Sequence, residues 1–268
     1  MPADAVTLDT LRHRIAAIEQ GGAMVGARAL PLGPAAIDDH LPWGGLPAAC
    51  LHEVLDGDGL RGRVAGAASA FTAALAARMA DARPVLWITG SEGGRLDLYA
   101  PGLAAVGLAA AALIVVSARG TAALWAMEEA LREPAVGAVV AEIGTVDLTA
   151  SRRLQLAAEA GGAGAFLLRP EAGGAPTASV TRWRVAAGGS GEVDEEVNRL
   201  AARSNGGVPP VGTARWRLEL LRCRGGRPAA WTVEWCHATG DLALAAPLSD
   251  RPAVPAARGG GRPYALAV

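Results

Sequence analysis

The stretch Leu51-His52-Glu53-Val54-Leu55-Asp56-Gly57-Asp58-Gly59-Leu60-Arg61-Gly62-Arg63-Val64-Ala65-Gly66-Ala67 decides the fold. Residues 51–55 are apolar enough for a buried strand, residues 56–66 are a glycine-rich turn, and an alanine-rich helix follows over 67–80. The same alternation continues downstream. Strands are predicted at 85–89 and 113–116, a helix at 121–132, a strand at 138–143, a helix at 149–160 capped by Asp147, and a strand at 165–169. These strands are near-continuous apolar runs, as strands buried on both faces are. Strands that alternate with helices make parallel βαβ units. The expected class is α/β, a mostly parallel sheet flanked by helices.

Beyond residue 175 the pattern changes. Residues 181–185, 215–224 and 230–236 alternate polar with apolar side chains, as half-exposed antiparallel strands do, and Gly225-Gly226 suits a hairpin turn between the last two. Residues 186–213 read as a flexible insertion, with a possible helix over 192–204. Residues 249–268, rich in Pro, Gly and Ala, read as a disordered tail. At the other end, residues 1–28 hold a short amphipathic helix and a linker. Leu8, Leu11, Ile15 and Ile18 share one helical face, a stripe that needs a partner, either the protein's own core or a neighbouring protein. The main domain is therefore placed at 29–248.

The chain has 268 residues and a net charge of -1, so no global field favours nucleic acid or membrane. All 25 basic residues are arginine, which excludes any chemistry that needs a lysine. Cys50, Cys223 and Cys236 are widely spaced and form no CxxC pair, so neither a disulfide framework nor a zinc site is indicated. His13, His40, His52 and His237 share no metal-ligand spacing. With no signal-peptide core and no apolar run of membrane-spanning length, the expectation is a soluble cytoplasmic protein.

A strand, glycine-rich loop and helix is the arrangement that cradles phosphates, but a phosphate loop needs G-x-x-x-x-G-K-[ST]. The loop at 56–66 has no lysine and no arginine in register, and Asp56 and Asp58 place negative charge where a phosphate would sit. Gly57 and Gly59 alone are not a dinucleotide fingerprint. Glu142 ends its strand where an acidic magnesium partner would stand; a carboxylate capped by backbone or water is the simpler reading. Glu128-Glu129 is read as a solvated helix face, Trp87 and Trp125 as core, and Trp43, Trp183 and Trp216 as possible contact residues. Arg182 and Arg184, with Arg222 and Arg224, fall in pairs on strand faces. Such a row suits a solvated face with ion pairs, a protein interface or phosphate backbones.

The order of elements resembles RecA. Ala29-Leu30-Pro31-Leu32-Gly33, Gly44-Gly45-Leu46-Pro47 and Leu51-His52-Glu53-Val54 are similar to the approach to its phosphate loop, and the 138–142 strand to its Walker B strand. Leu98-Tyr99-Ala100-Pro101-Gly102-Leu103, the helix from Leu124 to Arg132, and Thr149-Ala150-Ser151-Arg152-Arg153-Leu154-Gln155 resemble the ImuA family more closely, over roughly 8–250. That resemblance implies a RecA-like core with a C-terminal antiparallel hairpin extension. It implies a non-catalytic accessory role in SOS-induced error-prone translesion synthesis, in contact with RecA and/or an ImuB-like polymerase adaptor, with DNA contacted only indirectly or weakly. Gly57, Gly59, Glu92 and Glu142 then mark a vestigial nucleotide site, and no cofactor is expected. Arg222 and Arg224 resemble the paired cations that reach a neighbour's nucleotide in a RecA filament; here a protein interface is the expected use. An atypical ATPase, a SulA-like cell-division inhibitor and a direct nucleic-acid binder are the competing readings.

Overall fold

The computed structural model describes residues 28–58, 66–90, 98–170, 176–190 and 213–245. Eleven strands are found among them: β1 (Ala29–Leu30), β2 (Leu46–Pro47), β3 (Leu51–Asp56), β4 (Val85–Thr89), β5 (Leu113–Ser117), β6 (Ala138–Glu142), β7 (Gly164–Arg169), β8 (Thr181–Ser190), β9 (Ala214–Cys223), β10 (Ala229–Cys236) and β11 (Asp241–Leu244). The helices are α1 (Ala35–Asp38), α2 (Gly66–Ala80), α3 (Ala100–Ala105), α4 (Gly120–Arg132) and α5 (Leu148–Gly161). Strands β3 to β11 form one nine-stranded sheet in the order β11-β10-β9-β8-β3-β7-β6-β4-β5. The pairs from β8 through β3, β7, β6 and β4 to β5 are parallel, whereas β8-β9, β9-β10 and β10-β11 are antiparallel. The expected architecture is the observed one, and β8 is the strand where direction changes.

Burial on both faces explains the apolar runs. Every residue of β3 and β7 is buried. Helix α2 lays Phe71, Leu75 and Met79 on one face, over Val54, Val140, Phe166, Trp183 and Trp216. Helices α4 and α5 cover the other with Met127, Leu131 and Leu154, over Leu51, Ile88, Val139 and Leu167. Asp147 caps α5, its carboxylate accepting the Ala150 N–H at 2.7 Å. Helices α4 and α5 come together at their C-terminal ends, where a Cβ on Gly161 would lie 1.9 Å from the Leu131 carbonyl oxygen.

Several expectations need correction. Residues 186–190, expected to begin the insertion, continue β8. The short strand β11 and helix α3 are not apparent in the sequence pattern. Trp125 is 65% exposed, whereas Trp183 and Trp216, weighed as contact residues, are core. Glu129 is solvated, but Glu128 is buried and receives Arg132 on its own helix and Arg153 on α5. The carboxylate fastens two helices that both cover the sheet.

Two buried polar groups tie β3 to its neighbours. On the α2 face, Trp183 Nε1–H donates to Thr181 Oγ1 at 2.9 Å, and Thr181 lies 2.8 Å from His52 Nδ1. The opposite ring nitrogen, Nε2, is 2.9 Å from the Pro47 carbonyl oxygen. A carbonyl only accepts, so Nε2 carries the proton and Nδ1 accepts the threonine hydroxyl. A second proton on Nδ1 would break that chain. Burial pushes the His52 pKa down to about 4.

On the opposite face sits Glu53, fully buried. One carboxylate oxygen pairs with Arg169 of β7; the other accepts Arg182 Nε of β8 at 2.7 Å and the Thr177 hydroxyl at 2.9 Å. Arg169 is itself buried and also donates twice to the Gly144 carbonyl, at 3.0 and 2.8 Å. One side chain therefore bonds both strands that flank it.

Two outcomes are expected. The unfolded chain protonates His52 near its ordinary value of 6.5, whereas the folded chain does so only near 4. Its contribution to stability is thus complete above the first value and lost as pH falls to the second, by up to about 3 kcal/mol. Urea titrations across that range should show a shallower pH dependence for His52→Asn than for the parent. Glu53→Ala leaves Arg169 buried without its carboxylate and should cost about 3–5 kcal/mol; Glu53→Gln, which keeps the shape and an acceptor, should cost less in the same titration.

Candidate functional site

The end of β3 is where a phosphate-binding loop would begin, and several polar groups of residues 56–58 bond β8 or one another. Gly57 N–H donates to Val185 O of β8 at 2.8 Å. The Asp58 carboxylate accepts the Ala187 N–H, at 2.9 and 3.2 Å to its two oxygens. Asp56, buried, accepts the Asp58 N–H at 3.0 Å with one oxygen, and its other oxygen has no hydrogen-bond partner. The first residues of the loop are thus stitched to β8. Gly57 is required for the same reason: a Cβ there would lie 2.9 Å from Ala186 Cβ and 3.0 Å from Val185 O. The acids that read as hostile to phosphate also have a structural use, since Asp58 extends the β3-β8 ladder by one side-chain bond.

At the end of β6, Glu142 accepts the Trp87 indole N–H at 2.8 Å. The donor is a side chain, that of a tryptophan buried in β4. Gly59 and Glu92, the other two vestigial nucleotide positions, lie outside the described residues, as do Leu8, Leu11, Ile15 and Ile18 of the N-terminal stripe.

The four singled-out arginines divide. Arg182 belongs to the Glu53 cluster and is only 15% exposed. Arg222 donates to the Thr177 carbonyl at 2.7 Å, and Arg224 reaches the Ala178 carbonyl at 3.4 Å. These three converge on the segment at 177–178 that precedes β8. Arg184 stands apart and pairs with Glu219 at 2.9 Å. Arg217 joins the same glutamate at 3.1 Å, and Arg215 pairs with Glu234. Sequence reasoning missed Glu53 and Arg169 as a pair. The signal was present, because a charge inside an apolar run such as Leu51 to Leu55 needs a buried partner.

Other chemistry finds little support in the geometry. Among the described residues no three His, Cys, Asp or Glu side chains are grouped to hold a metal. Burial pushes the Cys50 and Cys223 thiols up to about 11, so neither supplies a thiolate near neutral pH. No described helix is long and apolar enough to cross a membrane. The sheet ends in β5, an edge strand of Leu, Ile and Val with Ile114 46% exposed and neither lysine nor proline to blunt it. The opposite edge is partly covered, as Leu242 N–H donates to the Leu32 carbonyl at 3.3 Å.

No family model matches the chain. Among solved structures, it is similar to the KaiC-like protein PH0186 of Pyrococcus horikoshii OT3, at 13% identity and a TM-score of 0.48, with 82% of this chain and all of that one covered. Among curated proteins, it is 40% identical over 228 residues to Protein ImuA of Caulobacter vibrioides, in each of two strains, covering 80% of this chain and 86% of the relative. With that identity over most of both sequences, the chain belongs to the ImuA family.

Proposed function

We propose that this protein is a non-catalytic, RecA-like accessory factor of SOS-induced, error-prone translesion synthesis. It acts by contact with RecA and/or an ImuB-like polymerase adaptor. The observation that carries the reading is the start of the loop after β3, residues 56–58. The Gly57 N–H and the Asp58 carboxylate bond β8, the sequence offers no lysine, and Glu142 is engaged by Trp87. A frame that retains the strand order of a nucleotide-binding domain without its phosphate chemistry is suited to recognising proteins of the same build. Contacts in a RecA-type filament are repeated and heterologous, so a look-alike can occupy one end without hydrolysing ATP.

The edge strand β5, beyond which no strand lies among the described residues, supports this use. An extended segment of a partner can add to such an edge through main-chain hydrogen bonds, with Ile114 and its neighbours supplying apolar contact. The arginines of β8 and β9 offer a second surface, consistent with a protein-facing role for Arg222.

The first test separates this reading from an arginine-dependent ATPase. A ligand present at about a hundredfold its Kd stabilises the native state by about 2.7 kcal/mol, which would raise Tm by several degrees. No shift is expected at millimolar MgATP; a clear rise would overturn the non-catalytic assignment. The second test addresses contact. Ile114→Lys puts a charge on an exposed edge, where a substitution should change stability by no more than about 0.5 kcal/mol. It should weaken capture of purified RecA or of the ImuB homologue by about tenfold or more. If the parent protein, folded, captures neither, the accessory reading fails.

A further inference from the structure

The two faces of the antiparallel extension are unlike. Toward α2 it presents Trp183, Val185, Trp216, Leu218 and Val233, all core. Away from α2 the registered neighbours are polar: Arg182 lies opposite Arg222, Arg184 opposite Glu219, Ala186 opposite Arg217, and Arg215 opposite Glu234. Among the described residues no helix covers this face, because α4 and α5 pack on β3, β4, β6 and β7. Five arginines there meet, among the described residues, three carboxylates of the same face, Glu53, Glu219 and Glu234, in a chain whose net charge is -1. Positive charge therefore exceeds negative, among the described residues, on a surface that no helix covers.

Its exposed guanidinium groups have capacity to spare. Arg184 is 40% and Arg217 64% exposed, and Arg222 is also exposed. Each has five N–H donors, and the bonds to Glu219 and to the Thr177 carbonyl engage one terminal nitrogen of each. Ala186, Ala230 and Thr232 keep the ground between them low. Diagonal neighbours across two strands are about 7–8 Å apart, so Arg217, Arg184 and Arg222 make a stepped line of that spacing. Carboxylates repeat at similar intervals on one side of an extended strand, about 6.8 Å, or along one face of a helix, about 6 Å.

We infer that this face docks an acidic segment of a protein partner, whose carboxylates are received by Arg184, Arg217 and Arg222. The inference rests on the reading of the chain as a factor that works by protein contact, and it supplies the chemistry of one such contact. A protein fits better than nucleic acid for two reasons. Glu219 sits within the line and Glu234 beside it, and both would repel a continuous row of phosphates while leaving room for discrete carboxylates. The tryptophans of these strands point into the core, so no aromatic platform is offered to bases.

The test uses the full chain and two fluorescein-labelled probes, a twelve-residue Glu-Ala repeat peptide and a mixed-sequence DNA oligonucleotide in single- and double-stranded form. Anisotropy titrations at low and physiological salt would compare the parent with Arg184→Gln/Arg217→Gln/Arg222→Gln. The peptide should bind the parent, more weakly as salt rises, and bind the triple variant about tenfold or more weakly. The variant Arg184→Gln/Arg217→Gln, which keeps the Thr177 contact, should show the larger part of that loss and an unchanged Tm. Peptide that fails to bind, or that binds both proteins alike, overturns the inference. So does DNA that binds the parent more tightly than the peptide and is lost in the variant. A Tm rise with MgATP would instead strike the non-catalytic reading and leave this surface standing.

Discussion

The buried carboxylate of Glu53 holds the two halves of the sheet in register. It lies in β3, between the parallel strands and the strand where the sheet turns antiparallel, and bonds Arg169 on one side and Arg182 on the other. Removing a carboxylate from water is costly, and here the cost is offset by two guanidinium groups and the hydroxyl of Thr177. The geometry has a consequence beyond stability. Because Arg169 also clasps the Gly144 carbonyl and Arg182 reaches Thr177, the cluster fixes the segments after β6 and before β8 relative to the end of β3.

That placement bears on the loop after β3. Strand β8 pairs with β3 as far as Asp56, and the ladder continues through Gly57 and Asp58 onto Val185 and Ala187. The Gly57 N–H, at the start of that loop, is used inside the sheet. The missing lysine and the two aspartates therefore belong to one arrangement. Glu142 tells the same story on the other side, since Trp87 takes up its carboxylate. Among the described residues, the β5 edge strand and the arginine-bearing face of β8 and β9 are two surfaces that no helix covers.

Much of this was legible in the residues. The strand-helix alternation, the cap at Asp147 and the change of pattern after residue 175 are local signals, and the observed elements follow them within a residue or two at most ends. The short strand β11 was not legible, because Asp-Leu-Ala-Leu has no pattern of its own and is a strand only by pairing with β10. Trp125 and Glu128 misled in opposite directions. Both lie on α4, where periodicity names a face but not its neighbour, and the position of α5 decides which side chain is covered.

What the sequence determined by itself is composition and period: an α/β chain without lysine, lacking a phosphate-loop register, with arginines at alternate positions of its late strands. Those properties need only the order of residues. Tertiary structure alone decided the partners: that Glu53 would meet Arg169 and Arg182, that Asp58 would bond β8, and that Arg184 and Arg217 would share Glu219. These contacts join residues up to 129 apart along the chain. They exist only because strand order places β7 and β8 on either side of β3 and β9 beside β8, a choice made by burial over the whole sheet and not by any one segment.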